Sequence, residues 1–191
     1  MIKGKMSDPQ KNKKGILYRT RVYLSGQMQY FDGEPWRVKV GKEFEKRGII
    51  VFSPYNHPFI GCTQENSDVA EYIKTLIAQN KYDEVAALVK KVRVEDLRTV
   101  DIADFIFCYL NPKYPTVGTW EEVFWANRMK KPIFFVVEGG KAKCPFWMYG
   151  VIPHKYIYDS IGDALKMVLD IDDGVKPIDS ARWRLLKTEY R

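Results

Sequence analysis

The chain has 191 residues, 46% hydrophobic, 14% aromatic and 29% charged, and a formal net charge of +7. That is the length of one domain with ample apolar material for a core, which excludes a wholly disordered chain and one that needs staples to fold. Cys62, Cys108 and Cys144 are odd in number, far apart and outside any CxxC spacing. Neither a disulfide framework nor a zinc knuckle is expected, and free thiols fit a cytoplasmic protein.

Apolar runs such as 133–137 have strand length, so no membrane span is expected, and the lysine-rich start lacks the apolar stretch of a secretory signal. Residues 1–21 hold seven basic side chains against Asp8, and residues 174–191 hold five against Asp179 and Glu189. The positive charge therefore belongs to the ends. The expected organisation is a flexible basic leader over 1–18, a domain over 19–173 and a basic aromatic tail over 174–191. Such ends are solvated and touch polyanions weakly, without sequence specificity.

In chain order, residues 21–26 (Arg-Val-Tyr-Leu-Ser-Gly) are β-prone and end in small residues. Pro35 suits the first turn of a helix, and Trp36, Val40 and Phe44 recur at helical spacing up to Gly48. Residues 48–53 read as a second buried strand, which Pro54 and Pro58 end. Ser67 is placed to cap a helix carrying Val69, Tyr72, Ile73, Leu76 and Ile77. A longer helix is expected over 82–103, a third strand over 104–110 and a loop with two prolines over 111–118. A helix over 119–129 leads to a fourth strand over 132–137. A short fifth strand at 156–158 and a helix over 160–170 complete the domain. Apolar strands alternating with helices predict an α/β protein. Its core is a doubly wound (Rossmann/flavodoxin-like) parallel sheet of four or five strands with helices on both faces. Ligands of such sheets bind beyond the carboxyl ends of the strands, so function belongs to the loops after residues 24, 53, 110 and 137.

Several polar residues converge on that edge. Glu122 fits a capping box, Thr119-Trp-Glu-Glu122, with Thr119 as N-cap. The same position, near a helix N-terminus at the ligand edge, favours an ionised carboxylate, which a nucleophile requires. Both readings stand on spacing alone. Glu121 should point away from the Glu122 face, because adjacent helical residues diverge by about 100°. Asp104, at a strand start, reads as a turn or cap residue. Trp120, Phe124 and Trp125 read as core or subunit contact.

The order Tyr23-Leu-Ser-Gly26, Asp96…Asp104, Gly118-Thr-Trp-Glu-Glu-Val-Phe-Trp-Ala126 and Lys131-Pro132 before an apolar strand resembles the nucleoside 2-deoxyribosyltransferase family, over roughly residues 20–138. The resemblance implies an enzyme that cleaves the N-glycosidic bond of a 2′-deoxynucleoside or its 5′-monophosphate through a covalent glycosyl-glutamate, with transfer to another base. It puts the nucleophile on Glu122 and the residue that assists at the base on Asp96. It brings Tyr23 near the nucleoside, and Asn56 and His57 near the base, although nothing in the sequence supplies His57 with a partner. Gly26, Asp32, Asn111 and Gly118 complete the expected substrate-binding set. Thr116 stands where the family often has an aspartate near the sugar 5′ end, which leaves nucleoside and monophosphate both open. Thr116 also reads as a turn residue between prolines. The resemblance further implies a homo-oligomer, with a nucleoside or nucleotide substrate and a nucleobase acceptor as partners. No cofactor or metal is expected. A purely hydrolytic 5′-nucleotide N-glycosidase and a non-catalytic nucleotide-binding module are the alternatives.

Overall fold

The structure is a computed structural model that describes residues 14–28, 34–63, 65, 67–178 and 181–183. Its elements are β1 (Arg21–Gly26), α1 (Glu34–Lys46), β2 (Ile50–Phe52), α2 (Ser67–Ala78), α3 (Tyr82–Ile102), β3 (Phe105–Leu110), α4 (Val117–Arg128), β4 (Ile133–Val137), β5 (Ile157–Tyr158) and α5 (Ile161–Asp172), with three short 3-10 turns between β4 and β5. The strands form one parallel sheet in the order β2-β1-β3-β4-β5. This is the doubly wound, flavodoxin-like arrangement. The order reverses between β1 and β3, so a crevice opens beyond the carboxyl ends of those two strands.

Alternation along the strands assigns each helix its face. Tyr23 pairs with Ile106 and Ser25 with Cys108 in register, so these four side chains share one face, while Val22, Leu24, Phe105 and Phe107 share the other. Phe44 of α1 meets Phe105 and Phe107 edge-on at centroid distances of 6.0 and 5.7 Å. On the opposite face Trp120 of α4 packs against Phe135 at 6.1 Å, above the fully buried Val123 and Ala126. Strands β1, β3 and β4 are buried almost throughout, which explains why their sequences read as continuous apolar runs.

Four expectations need correction. The second strand spans only Ile50–Phe52 and, at the edge of the sheet, is exposed to half-buried instead of buried. The helix after β3 begins at Val117, not at residue 119, because the Trp120 N–H already donates to the Thr116 carbonyl at 3.3 Å and closes a turn there. The leader does not run free to residue 18. Leu17 is fully buried, the Ile16 N–H donates to the Asp172 carbonyl at 2.9 Å, and the Leu17 N–H donates to Asp172 Oδ1 at 2.8 Å. The tail is not an appendage either. Trp183 is fully buried against Phe105 and Phe134, with centroids 5.3 and 6.1 Å away, and Arg182 donates to the Lys131 carbonyl at 3.0 Å and to Asn127 Oδ1 at 2.8 Å. The rest of the basic leader and tail, residues 1–13 and 184–191, lies outside the described residues. Among those described, no helix is long and apolar enough to cross a membrane.

Candidate active site

The crevice between β1 and β3 holds the buried polar cluster that the strand order predicts. Tyr23 and Ser25 lie two residues apart on β1 and so point the same way, toward α4. Glu122 comes to meet them from the second turn of α4, where it is buried. The Tyr23 hydroxyl donates to Glu122 Oε1 at 2.9 Å, and the Ser25 hydroxyl donates to Glu122 Oε2. The capping-box reading of Glu122 therefore fails. Thr116 is the N-cap residue, and its hydroxyl donates to Thr119 Oγ1 at 2.5 Å instead of accepting a backbone N–H. Glu121 does turn away, into an ion pair with Arg93 of α3.

Asp96 reaches the same point from α3, with Oδ1 3.0 Å from the Tyr23 hydroxyl oxygen. His57, between β2 and α2, is buried and has the partner that its sequence context did not reveal. Its Nδ1 lies 3.0 Å from Thr99 Oγ1, and the Thr99 hydroxyl already donates to the Glu95 carbonyl at 2.8 Å. The Thr99 oxygen must therefore accept from the Nδ1–H, which leaves Nε2 bare and 3.4 Å from Asp96 Oδ1. Glu65, ahead of α2, is raised by burial, and its charge in turn raises Asp96; its backbone N–H donates to the Pro54 carbonyl at 3.2 Å.

The electrostatics follow from burial and from like charges. Burial pushes Asp96 up to about 10, and the Glu122 and Glu65 charges push in the same direction. Burial raises Glu122 to about 7, against the hydrogen bonds from Ser25 and Tyr23 that favour its ionised form. Burial, then Asp96 and Glu122, hold the Tyr23 phenol well above its ordinary value, so it remains a donor. His57 is lowered by burial and stays neutral. Two carboxyl groups thus share one cleft with different proton affinities, Glu122 near 7 and Asp96 near 10, so that one can be ionised while the other keeps its proton.

The other expected residues divide. A Cβ on Gly26 would lie 2.7 Å from the Tyr109 carbonyl oxygen, so glycine there is a requirement of the sheet edge. Asn111 is tied to β1 by Gln27, whose Oε1 accepts the Asn111 N–H at 2.8 Å and whose amide also donates to the Tyr114 carbonyl at 3.0 Å. Asn56 closes a tight turn through its N–H to the Ser53 carbonyl at 2.9 Å, with its side chain exposed. Gly118 is exposed, and a Cβ there would meet nothing within 4 Å. Asp32 lies outside the described residues. Asp104 is a strand-start residue, as expected, and pairs with Arg21 at 2.8 Å.

Sequence reasoning missed Ser25, Glu65 and Arg37. Arg37 of α1 is buried and makes no ion pair among the described residues. It donates to the Leu24 and Gly26 carbonyls at 3.0 and 2.8 Å and holds the open end of β1. Ser25 was within reach through its two-residue spacing from Tyr23. Glu65 had no such signal, because it sits in an aperiodic stretch between Pro58 and Ser67. Among the described residues no group of three or more His, Cys, Asp or Glu is arranged to hold a metal ion.

No family model matches the sequence, and no curated protein matches it. Among solved structures the chain is similar to a 2-deoxyribosyltransferase from the psychrotolerant bacterium Bacillus psychrosaccharolyticus. The two are 17% identical with a TM-score of 0.46, and the match covers 83% of this chain and 97% of that one.

Proposed function

We propose that this chain is a cytoplasmic enzyme of the nucleoside 2-deoxyribosyltransferase kind, acting on the N-glycosidic bond of a 2′-deoxynucleoside or its 5′-monophosphate. The observation that carries this reading is the buried Glu122, gripped by Tyr23 and Ser25 at the β1/β3 crevice, with Asp96 on the same tyrosine. A Glu122 oxygen attacks C1′, and the bond from C1′ to the base nitrogen breaks with its electron pair going to the base. Asp96 supplies the proton that the departing base takes up. A second base attacks C1′ of the glycosyl ester and completes the transfer. Water in its place would give hydrolysis. The competent form has Glu122 ionised and Asp96 protonated, so turnover rises through about 7 and falls through about 10.

Incubation with deoxyinosine and adenine, followed by chromatography, tests the reading. Deoxyadenosine and hypoxanthine are the expected products. Deoxyribose without a new nucleoside would identify the hydrolytic enzyme, and binding without turnover would identify a nucleotide-binding module. Apolar side chains on the outer face of α4, Val117, Phe124 and Trp125, are exposed, which supports self-association of the chain.

Thr116 tests the 5′ end. Thr116→Asp brings a negative charge beside the place proposed for the substrate's 5′ group, where close like charges repel. The ratio of kcat/KM for deoxynucleotide over deoxynucleoside is expected to fall at least about tenfold in the variant, which corresponds to ~1.4 kcal/mol of discrimination. An unchanged ratio would mean that Thr116 does not face the 5′ end.

A further inference from the structure

We propose that Arg37 is a positioning residue: its guanidinium grips β1 on either side of Ser25 and so holds the Ser25 hydroxyl on Glu122. The proposal deepens the reading above and rests on it. The strand register shows why a grip is needed. β2 ends at Phe52, opposite Tyr23, whereas β3 accompanies β1 as far as Gly26, opposite Tyr109. Leu24, Ser25 and Gly26 therefore run past the end of β2. Carbonyls two residues apart in a strand face the same way. Those of Leu24 and Gly26 accept from Arg37 Nε and Nη2 at 3.0 and 2.8 Å. A planar fork from α1 thus takes the place that β2 leaves open.

Ser25 sits between the two gripped carbonyls, and its hydroxyl donates to Glu122 Oε2, while the Tyr23 hydroxyl donates to Oε1 at 2.9 Å. The two donors are placed by different means. Tyr23 lies where β1 is paired on both sides, so the sheet itself fixes it. Ser25 lies where β3 alone pairs with β1, and Arg37 secures the other side. The fit is close. A Cβ on Gly26 would lie 3.2 Å from Arg37 Nη2 and 3.2 Å from Trp36 Cζ2. The guanidinium carbon lies 4.8 Å from the centre of the Trp36 ring and 5.7 Å from that of Tyr55, and such aromatic faces attract a cation and hold the fork in place.

The fold alone does not call for a guanidinium here. Arg37 is buried and makes no ion pair among the described residues, and taking such a charge out of water is costly. It stands in the first turn of α1, the end of a helix dipole that disfavours cations. Its Nη1 has no hydrogen-bond partner among the described residues. A neutral donor would cover a strand-end carbonyl at less cost. What arginine adds is geometry, two donors fixed in one plane that reach the carbonyls before and after Ser25. That precision matters at a reacting carboxylate, where a displacement of about 1 Å can cost on the order of a hundredfold in rate.

The test is Arg37→Lys in the full chain, beside Ser25→Ala and the double variant. Lysine keeps the positive charge and loses the fork. In Arg37→Lys kcat is expected to fall about tenfold or more, with KM nearly unchanged. The Ser25 hydrogen bond favours the ionised form of Glu122, so loosening it raises the Glu122 proton affinity. The acid limb of kcat/KM should therefore move to higher pH by roughly half a unit or more, in the direction that Ser25→Ala moves it. The other titratable or charged groups around Glu122 are Tyr23 of β1, Asp96 of α3, Cys108 of β3 and Glu65 ahead of α2, and Arg37→Lys leaves all of them in place. In the Ser25→Ala background Arg37→Lys should cost little more, because the hydroxyl it positions is gone. Additive losses, or a lower melting temperature with the acid limb in place, would make Arg37 merely structural and overturn the proposal. Arg37→Gln, which also removes the charge, should move the limb at least as far and serves if the lysine variant does not fold. Loss of the fold in both overturns the proposal as well. Carbon-13 NMR titration of the Glu122 carboxyl without substrate separates the two levels of inference. A parallel upward shift in Arg37→Lys and Ser25→Ala upholds the grip, even if the wild type turns over no nucleoside and the glycosidic reading falls. A shift in Ser25→Ala alone overturns the grip, even in an active enzyme.

Discussion

Glu122→Gln is expected to lower turnover by roughly 10⁴-fold or more while leaving the fold intact, because an amide cannot form the glycosyl ester. The substitution is nearly isosteric. The Tyr23 hydroxyl keeps an acceptor in the amide oxygen, and the buried site loses a charge that repels Asp96. Glu121→Gln is the internal control. It breaks only an exposed pair with Arg93, worth about 0–1 kcal/mol, and turnover should not change. Initial rates and melting temperatures of both variants decide the matter. A Glu122→Gln protein within tenfold of wild type would remove Glu122 as the nucleophile.

Trp183→Ala is expected to have the largest effect on stability, about 3–5 kcal/mol, the usual cost of removing a large buried aromatic side chain. The ring lies between Phe105 of β3 and Phe134 of β4, on the sheet face opposite the crevice. Urea unfolding of the variant measures the cost. Truncation after residue 180 should cost at least as much, because it also removes the Arg182 bonds to Lys131 and Asn127. A loss below about 1 kcal/mol would mean that the tail is not part of the core.

The sheet and its helices were legible because their apolar residues are periodic or continuous. The boundaries of β1, β3, β4, α3 and β5 fall within a residue or so of the expected ones. The ends were not legible. Leu17 and Trp183 are single buried residues in basic surroundings, and composition averaged over such a stretch hides them. In the site, Glu122, Asp96 and Tyr23 were picked out by the order and spacing of motifs that resemble the nucleoside 2-deoxyribosyltransferase family, and β1, α3 and α4 bring the three together. His57 was undervalued because its partners, Thr99 and Asp96, come from a helix far along the chain. The start of α4 was misplaced because Thr116 and Thr119 are both good caps by residue type, and only backbone geometry selects between them.

The strand order also governs the sequence of events during synthesis. β1 emerges early, and β2, its edge partner, follows soon after. The other neighbour, β3, cannot pair until the long α2 and α3 stretch has left the ribosome. Tyr23 and Glu122 are 99 residues apart in the chain. The acid-bearing crevice is therefore among the last parts to assemble, and a nascent β1–β2 pair exposes the face that will carry Tyr23 and Ser25. Such non-local pairing folds slowly and leaves unpaired strand edges open to other chains. Expression at lower temperature, where aggregation competes less with folding, suits a protein whose buried polar cluster forms only after about two-thirds of its length has been made.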